Sequence, residues 1–218
     1  MRTALAIGFS IALAAVPAMA APVVHDTIAE FANIDPSQGL RGNGTAVTPE
    51  RSVIANMFDG NNSTIYSLGL GGSISLTIAP TTNMITSGSV IELTNLGSNH
   101  AETARFYLGD GAGSWIYIGN LINSQTGGGA GVTNENLSVA TRALDTTGAA
   151  STYTLTINNG VFNSLRLVDI SPNSGADRDG FDIAELRVTS VPVPAPATLA
   201  ILGGGLLGLA AVRRRRTH

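Results

Sequence analysis

Three carboxylates stand within the run Asp177-Arg178-Asp179-Gly180-Phe181-Asp182. The D-x-D-G order matches the opening of a calcium loop, in which alternate carboxylates turn toward one ion. The rest of that ligand ladder is missing, because no Glu closes the frame. Acids this close together ahead of a strand are expected to form a solvated turn. An acid–base set can be imagined from His100, Glu102 and Asp110, with Ser98 as nucleophile. No spacing brings these residues together, and no G-x-S-x-G surrounds a serine. The other two histidines, His25 and His218, lie toward the ends of the chain. The expectation is a protein that is not an enzyme. The chain has no cysteine, which removes disulfides, thiolate metal sites and cysteine nucleophiles together.

Aromatic residues offer a second kind of chemistry. Trp115 and Tyr117 are two apart, so one face of a strand would carry both. Such a pair is either a flat platform for a sugar ring or part of the core. Core packing is the reading favoured for Trp115. Tyr107 and Tyr66 are the remaining candidates for a binding face.

The elements that would position these residues are short strands. Residues 73–78 (SISLTI) and 152–157 (TYTLTI) alternate polar and apolar side chains, the signature of a half-buried strand. Residues 90–93, 104–108, 115–118, 164–170 and 181–188 add further β-type runs, most of them ended by Gly, Asn or Asp. Residues 126–131 are a glycine-rich loop, and 23–31 fits either a strand or a short helix. No segment of this region carries a sustained helical stripe. The fold class is therefore all-β, an antiparallel β-sandwich or jelly roll. Residues 21–190 suffice for one domain burying roughly 70% of its unfolded surface.

All 12 basic side chains are arginine. Five lie at the chain ends, so between residues 21 and 190 seven arginines face fifteen carboxylates, a net charge of −8. An acidic body without lysine is unsuited to nucleic acid, whose phosphates demand clustered cations.

Both ends read as addresses. Residues 1–20 begin with Arg2, continue through an apolar stretch and end in Ala18-Met19-Ala20. Small residues at Ala18 and Ala20 suit signal peptidase, with cleavage before Ala21. At the other end comes Val191-Pro192-Val193-Pro194-Ala195, then an apolar run over 197–212, then Arg213, Arg214, Arg215 and Arg216. As a helix the run would reach about 24 Å, slightly less than the ~30 Å hydrocarbon core. Snorkelling arginines close the difference, and their charge holds them on the cytoplasmic side. The expected organisation is a signal helix (1–20), an exported β-domain (21–190) and a sorting tail with a transmembrane helix (191–218).

The tail resembles the PEP-CTERM class of bacterial sorting signals in its VPxPA variant, with Val193 in place of the usual acidic residue. That resemblance implies recognition of the proline motif by an exosortase and delivery to the cell surface or extracellular matrix. A plain C-terminal membrane anchor is the alternative. A second resemblance, over about residues 56–188, is to discoidin-like, galactose-binding-like jelly rolls. It rests on Asp59-Gly60-Asn61-Asn62-Ser63-Thr64, on Trp115 between Asp110-Gly111 and Ile118-Gly119, and on Ile183-Ala184-Glu185-Leu186. It implies a structural Ca²⁺ held by Asp59, Asn61, Thr64 and Glu185. It also implies a domain that binds carbohydrate or lipid surfaces or serves as a structural module; an extracellular polysaccharide is the partner that the aromatic pair Trp115 and Tyr117 would meet. An Asp-Gly turn beside an exposed strand glutamate is the plainer alternative to the metal.

Overall fold

In Ser73–Ile78 the apolar positions Ile74, Leu76 and Ile78 are at most 1% exposed, so the alternation in the sequence is the alternation in space. The same rule builds the whole body in the computed structural model, which describes residues 21–93, 102–123, 131–147, 150–172 and 178–193. The strands are β1 (Val23–His25), β2 (Phe31–Ser37), β3 (Tyr66–Ser67), β4 (Ser73–Ile78), β5 (Asn83–Leu93), β6 (Glu102–Gly109) and β7 (Trp115–Asn123). They continue as β8 (Gly131–Val132), β9 (Ala140–Thr147), β10 (Ala150–Ile157), β11 (Ser164–Asp169), β12 (Asp182–Ile183) and β13 (Glu185–Pro192). Three single turns of 3₁₀-helix, Ile28–Glu30, Pro49–Arg51 and Ile54–Met57, are the helical pieces among the described residues. The ambiguous 23–31 stretch is thus strand, then 3₁₀ turn, then strand.

Two antiparallel sheets face one another. One has the order β1-β13-β5-β10-β9 and the other β2-β4-β11-β6-β7-β8, while β3 and β12 form a small ribbon beside them. Inward-facing Leu76, Ile85, Phe106, Leu121, Tyr153, Leu167 and Leu186 share one core with Tyr66 and Phe181. Each such side chain contributes about 1.5–3 kcal/mol by leaving water. The expected all-β sandwich is what forms. No described helix is long and apolar enough to cross a membrane. The expected signal helix with Ala18 and Ala20, the expected transmembrane segment with Pro194, Ala195, Arg213, Arg214, Arg215 and Arg216, His100 and most of the glycine-rich loop lie outside the described residues.

One irregularity decides what the second sheet shows to solvent. Where β6 pairs β7, the register steps from Phe106↔Gly119 to Tyr107↔Tyr117, leaving Ile118 as the extra residue of a bulge. Gly119 lies at φ +144°, a conformation available essentially to glycine alone. A Cβ there would come within 2.0 Å of the Thr133 carbonyl oxygen. Gly119→Ala should therefore cost about 2–5 kcal/mol, combining backbone strain with overpacking. Gly71→Ala, also at positive φ but with open space around the new methyl, should cost about 1–2 kcal/mol. Urea denaturation of the two variants checks the difference.

Candidate functional site

The bulge turns β7 over. Beyond it Gly119, Leu121 and Asn123 point inward, and a strict two-residue period would place Trp115 and Tyr117 inward as well. The inserted Ile118 reverses the parity, so Trp115 and Tyr117 stand half-buried on the outer face. This corrects the core placement of Trp115. Its indole lies across Gly109, where a Cβ would approach the ring to 2.7 Å.

A row of directly opposed residues crosses the outer face of that sheet. Asp35 pairs with Ser75, Ser75 with Arg166, Arg166 with Tyr107, and Tyr107 with Tyr117. The two tyrosine rings are 5.5 Å apart and tilted by 52°. The Tyr117 hydroxyl donates to Asn120 Oδ1 at 2.8 Å, which fixes its ring. Arg166 donates from Nη2 to the Ser73 hydroxyl at 3.4 Å, while its Nε is buried without a hydrogen-bond partner. The row spans about 19 Å at ~4.8 Å per strand. It carries aromatic faces beside polar donors, a combination that receives ring-shaped polar ligands. Tyr107 and Arg166 are the members that sequence reasoning undervalued. Both sit at polar positions between buried neighbours, in Phe106-Tyr107-Leu108 and Leu165-Arg166-Leu167. Tyr66, the other sequence candidate, is buried in the core.

The acidic run is not a solvated turn. Asp179 is 4% exposed and Asp182 0%. Glu102, from the first position of β6, joins them, and one carboxylate oxygen from each lies within 4.8 Å of the others. Arg51, at the end of a 3₁₀ turn, pairs through Nη1 with Asp179 and stands 3.6 Å from Asp182. The Ser67 hydroxyl donates to the main-chain oxygen of Asp179 at 2.5 Å. Behind them Gly180, at φ +84°, presses against Gly69 so closely that a Cβ would meet its carbonyl oxygen at 2.6 Å. Both carboxylate oxygens of Asp182 lack a hydrogen-bond partner. Burial, reinforced by the neighbouring Asp179 charge, pushes the Asp182 carboxyl up to about 7, against the opposing pull of Arg51.

The loop Asp59-Gly60-Asn61-Asn62-Ser63-Thr64 closes on itself. Asp59 Oδ1 accepts the Asn61 N–H at 2.8 Å, and Oδ2 accepts the Thr64 hydroxyl at 2.6 Å. This grouping fits one side of a Ca²⁺ site, since each carboxylate oxygen keeps a further lone pair. Glu185 is buried in β13, where Oε1 is ion-paired with Arg187. His25 is buried too: Nδ1 donates to the Glu30 carbonyl at 3.1 Å and Nε2 meets the Ser190 hydroxyl at 2.7 Å.

Strand β13 carries the start of the proline motif. Val191 pairs with Met84 and Pro192 with Asn83, so the last strand runs two residues beyond the expected boundary at 190. Val191 is buried and Val193 is exposed. Ala21, two residues before β1, emerges at the same end, because Val23 pairs with Ser190.

Comparison with known proteins agrees with the tail. Residues 192–216 match the PEP-CTERM protein-sorting motif. The chain is thus an exported protein carrying an exosortase-type sorting signal. No curated protein matches it. Solved structures with a similar fold include a truncated AlyQ with CBM32 and alginate lyase domains, at 13% identity and a TM-score of 0.45. The alignment covers 81% of this chain and 35% of that one, so the chain spans about a third of its length. The C-terminal domain of a chitobiase from Bacteroides fragilis aligns at 16% identity over 79% of this chain and 100% of that one, with a TM-score of 0.44. CBM32-3 from a family 31 glycoside hydrolase of Clostridium perfringens gives 15% identity, 76% and 93% coverage, and a TM-score of 0.44.

The Asp182 shift has a pH consequence. The folded state keeps this proton up to about pH 7, whereas an unfolded aspartate releases it near pH ~3.9. Between those values the folded state binds more protons, so this group's contribution to stability falls as pH rises. In chelator-treated protein, the stability of wild type relative to Asp182→Asn should decline from about pH 4.5 to about pH 8. Urea midpoints at both pH values measure it, and equal differences would contradict it.

Proposed function

We propose that this is a non-enzymatic surface or extracellular-matrix protein whose sandwich body is delivered by its C-terminal sorting tail. The observation that carries this reading is the direct passage of β13 into the sorting motif at Val191-Pro192. The tail's apolar run holds the precursor in the inner membrane until an exosortase removes it, and the acidic body is left at the surface. Structural roles for the imidazole of His25 and the pairing of Glu185 with Arg187 support a body that does no catalysis. Asp59, Asn61 and Thr64 would serve in such a body as one side of a calcium tie, with Glu185 as the distant ligand. Mass spectrometry of the surface-located protein should find a C-terminus upstream of Arg213. An intact Arg213–His218 end would reduce the tail to a permanent anchor.

The outer aromatic row favours a second reading within the same setting, carbohydrate binding. Its ligand class is an extracellular polysaccharide whose rings lie on Trp115, Tyr117 and Tyr107, with Arg166 donating to hydroxyl or carboxylate oxygen. These side chains are half-buried on the outer face rather than in the core. Trp115→Ala and Tyr117→Ala should each weaken retention on an immobilised glycan at least about 10-fold, the loss of roughly 1.4 kcal/mol. Melting temperature should move by no more than about 4 °C. Retention unchanged in both variants would leave the row without a ligand role.

A further inference from the structure

Folding brings three buried carboxylates, Glu102, Asp179 and Asp182, together in the interior of the domain. Arg51 brings one positive charge and spends it on Asp179, while its 3.6 Å separation from Asp182 is too long for a hydrogen bond. Asp182 is the decisive group. Its side chain is fully buried, its oxygen points into the cluster, and neither carboxylate oxygen receives a donor. A buried carboxylate without donors is costly unless something neutralises it.

We propose that Glu102, Asp179 and Asp182 bind a hard divalent cation, Ca²⁺ by size and donor type, inside the body of the domain. The ligand set is all oxygen, which selects hard cations over those that prefer nitrogen or sulfur. Ligands on opposite sides of a Ca²⁺ are about 4.6–5.2 Å apart. The three oxygens, all within 4.8 Å of one another, therefore fit a single coordination sphere. Asn123 stands directly opposite Glu102 in the β6–β7 ladder and carries an amide oxygen on the same side of the sheet. Arg51 is the partly exposed member of the group. The ion would fasten β6 to the segment entering β12, a joint between parts of the chain far apart in sequence. This site shares no residue with the Asp59 loop or Glu185.

The test uses the full chain in mild detergent, stripped with chelator and titrated with CaCl₂ while thermal unfolding is followed. With Kd in the range of extracellular modules, about 10⁻⁴–10⁻³ M, a 100-fold excess of Ca²⁺ should raise the melting temperature by about 5–10 °C. Glu102→Gln and Asp182→Asn should each abolish that rise, and Asp182→Asn in chelator should melt no lower than wild type. Should Asp182→Asn fail to fold, Glu102→Gln decides alone. Asp59→Ala should keep the full response. The inference falls if wild type does not respond to CaCl₂ or if the response survives both substitutions in the cluster. It falls equally if Asp59→Ala alone removes the response.

Discussion

The buried carboxylate of Asp169 is the tie on which the arrangement of both functional regions depends. It accepts the main-chain N–H of Gly71 and of Phe181, each at 2.9 Å, and the Ser171 hydroxyl at 2.5 Å. One side chain at the end of β11 thereby fixes the turn before β4 and the entry to β12. Burial raises the carboxyl's pKa, and these donated hydrogen bonds oppose that rise. An acceptor with so many donors fixes geometry more firmly than apolar packing, which tolerates sliding. Phe181 is held with its ring against Tyr153, 6.0 Å away across the core. Asp179 and Asp182 flank that anchored residue, so their burial follows from Asp169 rather than from their own sequence.

The fold was legible because a half-buried strand must alternate, and Ser73–Ile78 and residues 152–157 do so without interruption. The site was legible only where local sequence decides exposure. In Phe106-Tyr107-Leu108 the alternation already places Tyr107 outside. Trp115 was read into the core because one face of its strand had to be core and Trp115 shares a face with Tyr117. The bulge at Ile118 that turns this face outward depends on Gly119, whose special backbone angle leaves no mark in a sequence where glycines are abundant. The acidic run was misread for a different reason. Three nearby acids look solvated until Glu102, from the far end of another strand, and Arg51, from a 3₁₀ turn, are brought against them by folding. Long-range burial is not a local property.

The described body begins and ends at one edge of a sheet. Ala21 and Val193 leave the same end of one sheet, beside the paired residues Val23 and Ser190. A precursor held at either end would present this edge of the sandwich to the bilayer. The proline motif begins inside a strand, with Val191 buried and paired to Met84, so no flexible spacer separates body from signal. Pro192 suits the last paired position because it has no N–H to leave unsatisfied.

That geometry makes the folded state of the body relevant to sorting. An enzyme reading Val191–Ala195 finds the first two residues already committed to β13. Val193, the next residue, lies past the strand, is exposed and donates its N–H to the Thr82 carbonyl at 3.4 Å. Access therefore requires either an enzyme that grips from Val193 onward or local opening of the last two residue pairs of β13. Opening at a strand end is far less costly than global unfolding, and β1 does not cover these pairs, since its pairing stops at Ser190. Inward from that point His25 and Asn83 both hold the Ser190 hydroxyl. Fraying that frees the motif would stop there, with the core of the sandwich still closed.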